Sequence, residues 1–399
     1  MLFASSRDNR YRQGVFLMNR REFLRNAGIG ASGMLLASAF NTTLNARPAV
    51  AAEAPTTKAD YFVPADIKNL IKGGLDPDKK PVLSVDSGAV VDIETVSMLG
   101  IAGTFSDYMK KYSLSKDDPI IARILASEKL KKACSSGHVL TGPIRINGAR
   151  PGDVLEVRIL DTFLTTDFGN VMARPGAGGV PYEVKETTSF RIEYDKSRSI
   201  GKYKNLNIPL NPFFGIMGVS PAALAPSAPP AVFGGNMDIK AFTKGTSVYL
   251  PVQVDGALYY TGDAHAAQGD GEVSITAIET SMTGRVQFIL HKNWNLSMPM
   301  GETPTHYLVM GLNEELLLAS RQAIMEASHF IAEKNGMTFN EALVLCSMGV
   351  DFKVAQVVNG VKGIYGAIPK SLIGAGKLGK FWNENGAVRY HTPIGTNVA

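Results

Sequence analysis

Cysteine is nearly absent: Cys134 and Cys346 are the only two in 399 residues. Two thiols cannot build the disulfide framework of a small secreted scaffold, and no Cys-x-x-Cys or Cys/His spacing offers a metal knuckle. A single bridge between them stays open. Long apolar runs are also missing. The stretch Ala27–Phe40 falls short of the roughly 18 residues that a membrane span needs. Gly234-Gly235-Asn236-Met237-Asp238 has glycines but not the lysine of a phosphate-binding loop, which argues against a nucleotide site. A glycine-serine-rich nucleophile loop with its lysine is not legible either. Cys346 sits in the apolar run Leu343–Met348, and Cys134 has no histidine or acid at a recognisable catalytic spacing. Both read as structural thiols, because a reactive thiol wants a polar, positive setting.

An excess of charge is missing too, once its source is located. The net charge is +5, but residues 1–52 hold seven arginines against Asp8 and Glu22. The remainder balances at 34 basic and 34 acidic residues, so no basic face for nucleic acid is implied. The partner expected is small or uncharged.

The arginine-rich start has its own logic. Asn19-Arg20-Arg21-Glu22-Phe23-Leu24-Arg25 resembles the twin-arginine export motif, and the apolar stretch and Ala49-Val50-Ala51-Ala52 follow it. Together they read as a signal peptide over 1–52, handled by the twin-arginine export machinery, with a periplasmic mature protein from 53. Met18 directly precedes the motif, so residues 1–17 are consistent with an upstream start assignment.

Beyond the signal the chain reads as mostly β (α+β). Pro81–Val85 and Ala89–Glu94 alternate across Asp86-Ser87-Gly88, and Ile144–Gly148 and Gly152–Ile159 do so across Pro151-Gly152. Both pairs predict hairpins, and their mutual likeness reads as shared hairpin grammar. Residues 96–137 are more helical and rich in lysine. Pro175–Gly179 and Pro221–Pro230 predict loops. The β-rich core runs over roughly 81–310. A helical pair follows over 311–348, with Asn313 as the first cap, Asn335-Gly336 as the stop and a Thr338/Glu341 capping box. Strands and a tail complete 349–399.

What is present in abundance is concentrated in Gly262-Asp263-Ala264-His265-Ala266-Ala267-Gln268-Gly269-Asp270-Gly271-Glu272. Five polar groups are separated only by glycine and alanine. Asp263 and His265 are two apart, so on a strand they share a face. A carboxylate and an imidazole on one face can ligate a zinc-like ion, and Asp238 is the natural third ligand. Glu272 is placed to act as a base toward water activated by that ion. The alternative is a polar network that only rigidifies a turn. His138 is a further ligand or a substrate contact.

Three blocks carry a family likeness: TGPIRINGARPGDVLEVRILD from Thr141, GGNMD through GDAHAAQGDGE to Glu279, and ALVLCSMGVDFKVAQVVNGVKG from Ala342. They resemble the acetamidase/formamidase family over about Pro81 to Ile373, in the family's order. The resemblance implies a β-rich multi-layer sandwich or barrel-like core, a homo-oligomer, and a bound divalent ion, zinc or alternatively calcium. It implies hydrolysis of small aliphatic amides to a carboxylate and ammonia. In that reading Asp238, Asp263 and His265 hold the ion and Glu272 is the base. Asn236 steadies the oxyanion, Asp270 supports catalysis, and Gln268 and His138 touch substrate. A lactam or larger carboxamide hydrolase and a non-catalytic exported binding protein are the rival readings.

Overall fold

The computed structural model describes residues 57–97, 99–135 and 137–374; the signal segment read from residues 1–52 lies outside them. Two large sheets dominate. A nine-stranded sheet runs from edge strand Tyr61–Val63 through Val90–Thr95, Met282–His291, Val154–Leu164 and Thr246–Pro251 to the opposite edge, Asp351–Gln356. An eleven-stranded sheet carries Val139–Ile146, Phe213–Val219, Gly234–Asn236 and Tyr259–His265 at one end and an arm of four strands, Phe168–Ala173 to Leu206–Pro209, at the other. Their facing sides make the main core, in which Ile93, Leu155, Val157, Val286 and Phe288 of one sheet meet Leu140, Ile144, Phe214 and Ile216 of the other. The period-2 alternation of these strands puts one side chain in two into that layer. The expected mostly-β, multi-layer class is what forms.

Four α-helices occur among the described residues: α1 (Phe105–Tyr112), α2 (Pro119–Glu128), α3 (Leu316–Asn335) and α4 (Phe339–Gly349). The first two occupy the segment read as helical, capped by Thr104 and by Asp118 ahead of Pro119. The late pair covers the outer face of the nine-stranded sheet, where Phe330, Ile331 and Cys346 pack on Tyr249, Tyr307 and Val309. Gly336 ends α3 in a left-handed conformation, and the Thr338/Glu341 box starts α4. Asn313 is not the cap. Its Oδ1 accepts from the Glu315 N–H at 2.9 Å, and it closes the strand His306–Asn313 before the helix starts at Leu316.

Neither expected hairpin forms. The turns at Gly88 and Gly152 exist, with φ of 102° and 92°, but the strands on either side of each turn lie in different sheets. Leu83–Val85 and Val139–Ile146 pair with each other in parallel in the larger sheet. Val90–Thr95 and Val154–Leu164 instead flank Met282–His291 in the smaller one. A chain crossing from one sheet to its partner over a shared core has the same alternation as a hairpin, so pattern cannot separate them. The likeness of the two segments therefore has a structural counterpart: they are two side-by-side crossings of the same sandwich. The proline-rich run 221–230 also contributes a two-residue strand, Ala225–Pro226, against Gly74–Leu75.

On the helix-covered face Glu156 is buried and accepts from Arg158 Nε at 2.7 Å and Ser247 Oγ at 3.0 Å, with His291 Nε2 at 2.7 Å. Burial alone would raise its carboxyl, but the His291, Arg158 and Ser247 contacts hold it down at about 2. A depressed carboxyl stabilises the fold above its unfolded value and loses that contribution as pH falls through the folded one. Glu156→Gln should therefore cost about 2–3 kcal/mol at pH 7, less where the half-exposed Arg158 is screened. The deficit should shrink between about pH 4.5 and about pH 2. Urea melts of both proteins across that range check it; a constant deficit would mean lost packing rather than lost charge.

Candidate active site

The site forms where three neighbouring strands of the larger sheet end together. Tyr259–His265 pairs with Phe213–Val219, which pairs with Gly234–Asn236. Asp263 and His265 project to the same side, as their spacing requires. Asp238 lies two residues past its strand and approaches His265, Oδ1 to Nδ1 3.7 Å. The imidazole Nε2 is 3.5 Å from Asp263 Oδ2 and 3.3 Å from Glu279 Oε1. His265 is wholly buried, and Asp238, Asp263, Glu272 and Glu279 are each at most 6% exposed. Asp238, Asp263 and Glu272 all adopt positive φ, 48°, 53° and 46°. A β-carbon makes that conformation unfavourable, and such strain collects at functional sites.

Space is made by Gly215 on the middle strand. A β-carbon there would strike Asp238 Oδ1 and stand 2.8 Å from His265 Cε1 and 2.9 Å from the Asp263 carbonyl. Gly215→Ala should therefore displace the donor set and lower activity by about 10²-fold while the protein still melts cooperatively. Kinetics beside a thermal melt check this, and near-normal turnover would show that the carboxylates tolerate displacement.

Five donor atoms in this pocket are buried with no hydrogen-bond partner: Asp238 Oδ1, Asp263 Oδ1, both ring nitrogens of His265, and Glu272 Oε2. Native interiors rarely leave such atoms unpaired. The donor atoms of Asp238, Asp263 and His265 lie within 4.8 Å of one another, as do those of His265, Glu272 and Glu279. Four acids around one imidazole cannot all ionise in a dry pocket. Burial raises Asp238, and it raises Glu279 to about 7. Burial and the Asp238 carboxylate push Glu272 well above the usual range. Burial would raise Asp263 too, but His138 and His265 hold it well below its ordinary value. Burial would discharge His265, yet Glu279 and Asp263 keep its proton well above the ordinary range. A divalent cation fits this set, because it would take one ring nitrogen of His265 together with carboxylate oxygens that are now unpaired and let the acids ionise together.

The residues expected from sequence are sorted by this geometry. Asp238, Asp263, His265 and Glu272 come together. His138 joins them at the edge, its Nε2 3.8 Å from Asp263 Oδ2 and its Nδ1 2.9 Å from Ser227 Oγ. Asn236 lies on the adjoining strand, with its side-chain Oδ1 buried and unpartnered. Gln268 donates from Nε2 to the carbonyls of Asp238 at 2.8 Å and Ala355 at 3.2 Å. Asp270 does not enter the cluster. Its carboxylate is bound by Lys240 at 2.9 Å and by the Tyr365 hydroxyl at 3.2 Å. Two further residues join the site without having been expected from sequence. Glu279 stands directly across from His265 in the register of paired strands, and its only sequence signal is a lone acid after Ala277-Ile278. Asn359 donates to Asp238 Oδ2 at 2.5 Å from a loop 121 residues away, a contact without any local signal.

Both cysteines are free thiols. Cys346 packs in the helix layer beside Ser328, and burial pushes both thiols up. Neither belongs to the candidate ligand groups among the described residues. No helix among the described residues is long and apolar enough to cross a membrane.

The chain is similar to known amidases. A formamidase of Methylophilus methylotrophus is 30% identical over 34% of this chain and 47% of its own length. An acetamidase of Mycolicibacterium smegmatis is 28% identical over 34% of this chain and 49% of its own. The chain thus spans about half the length of these curated relatives. The crystal structure of an acetamidase from Bacillus halodurans superimposes with a TM-score of 0.66 at 29% identity, covering 78% of this chain and 97% of that one. The Acetamidase/Formamidase family model matches residues 68–228 and 223–371. By fold and by this match over most of its length, the chain belongs to the Acetamidase/Formamidase family.

Proposed function

We propose that the protein hydrolyses the carbon–nitrogen bond of small aliphatic amides, giving a carboxylate and ammonia. The observation that carries this reading is the set of five unpartnered donor atoms on Asp238, Asp263, His265 and Glu272, in a chain of this family. A binding protein has no need of a buried, strained acid such as Glu272 beside them. Asp238, Asp263 and His265 would hold a divalent ion. Bound there, it supplies Lewis-acid activation of the amide carbonyl and of the attacking water.

The chain's own residues do the rest. Glu272, as the carboxylate, takes a proton from water as the water oxygen bonds to the carbonyl carbon, and returns it to the nitrogen as the carbon–nitrogen bond breaks. Asn236 Nδ2 is the donor assigned to the developing oxyanion. His138 and Gln268 orient the amide, while Asp270, through Lys240 and Tyr365, fixes the loop carrying Gln268 and Glu272. The single-imidazole donor set supports zinc, with calcium as the alternative that metal analysis separates. Ammonia release from a panel of linear amides and lactams, with and without added divalent metal, tests the reading. Silence on every amide, with tight binding of one, would favour the exported binding protein instead.

Family membership supports a homo-oligomer, which sedimentation velocity checks. Arg20-Arg21, the apolar stretch and Ala49–Ala52 support twin-arginine export and a periplasmic mature protein. Replacing both arginines by lysine should hold the precursor in the cytoplasm. Unchanged fractionation, or a mature chain that keeps residues 1–40, would rule this route out.

A further inference from the structure

Between the site and the four-stranded arm lies a cavity of about 560 Å³ with Glu272, Gln268 and Asp270 on its wall. Its lining is mainly apolar. Val171, Phe190, Ile192 and Tyr203 come from one face of the arm, since Val171 is paired with Phe190 and the ring of Phe190 meets that of Tyr203 edge-on at 5.1 Å. Ala267 and Ile278 face them from the site loop. Acetamide has four heavy atoms and fills roughly 100 Å³ at about the volume of a water molecule each. The cavity is several times larger than the substrate that family membership implies.

The Gln268 side-chain amide has a fixed orientation on the cavity wall. Both hydrogens of its Nε2 are taken by the carbonyls of Asp238 and Ala355, so the amide cannot be flipped. Its Oε1 is then a buried acceptor with no partner, matched by the NH2 group of a primary carboxamide. With the carboxamide held between Gln268 and Glu272, the acyl group is left the apolar hollow between loop and arm.

We infer that the preferred substrates are primary aliphatic amides with an acyl chain longer than that of acetamide, with room for at least about six carbons, seated in this cavity. The inference rests on the amide-hydrolysis reading above and specifies its substrate class. Val171, Phe190, Ile192 and Tyr203 set specificity, and Gln268 positions the amide nitrogen.

The test is ammonia release by the wild-type full chain from formamide, acetamide, butyramide and hexanamide. kcat/KM should rise about fourfold for each methylene transferred from water to the apolar wall, roughly 10²-fold from acetamide to hexanamide. Val171→Trp, which fills the hollow, should lower the hexanamide-to-acetamide ratio at least about tenfold. Should that variant melt early, inhibition of wild-type acetamide hydrolysis by hexanoate against acetate reads the same cavity, and hexanoate should bind more tightly. A flat series, or acetamide preferred with no difference between the two acids, overturns the acyl cavity and leaves amide hydrolysis standing. No ammonia from any of the four amides overturns both.

Discussion

His265→Ala should remove bound metal and amide turnover together. The imidazole is wholly buried, and its donor atoms belong to both candidate ligand groups, with Asp238 and Asp263 and with Glu272 and Glu279. Loss of a group that only orients a metal ligand typically costs 10–100-fold in affinity or activity. Loss of the shared ligand should exceed that, so more than about 10²-fold is expected in kcat/KM. The substitution also takes the imidazole from the centre of the four acids, so the variant should melt earlier than wild type. Asp263→Asn, which keeps volume, provides the control for folding and should likewise lower metal content. Elemental analysis beside kinetics decides the matter. A wild-type enzyme that is fully active without metal, or a His265→Ala protein that retains its ion, would remove the ligand assignment.

Glu272→Gln should separate binding from chemistry. Glutamine keeps the shape of the side chain and abolishes its capacity to take a proton. General-base assistance is worth about 10²–10⁴-fold, so kcat should fall by that factor while KM and metal content change little. The opposite split, with KM raised and kcat preserved, would mean that Glu272 contacts substrate without moving a proton. Burial and the neighbouring Asp238 carboxylate push this carboxyl well above the ordinary range when no cation is present. Substituting Glu272 should accordingly relieve repulsion among the acids, and the metal-free variant should be no less stable than metal-free wild type. Early melting of that variant would show that Glu272 carries structural weight in addition to its proton.

Much of the site is legible in the order of residues alone, because its chemistry is local. The period of a strand places Asp263 and His265 on one side, and glycine and alanine around them leave room for a ligand. The capping box of α4 and the Gly336 stop of α3 are legible for the same reason: each is satisfied within four residues. The charge balance, the signal-like start and the lack of a legible thiol or serine nucleophile motif are likewise properties of composition and short motifs.

Tertiary structure decided what depends on pairing across distance. Glu279 enters the site only because its strand lies against His265, and Asn359 only because the 356–361 turn folds back over Asp238. Asp270 sits among the same glycines as Glu272, yet Lys240 and Tyr365 draw it outward. The two expected hairpins became crossings between sheets, since alternation records which side of a strand is buried and not which strand lies beside it. The cavity has no sequence signature at all, being the gap between a loop and an arm whose separation is set by packing elsewhere. Residue order determined which groups could do chemistry. The long-range register of the strands, which no local pattern encodes, determined which of them meet.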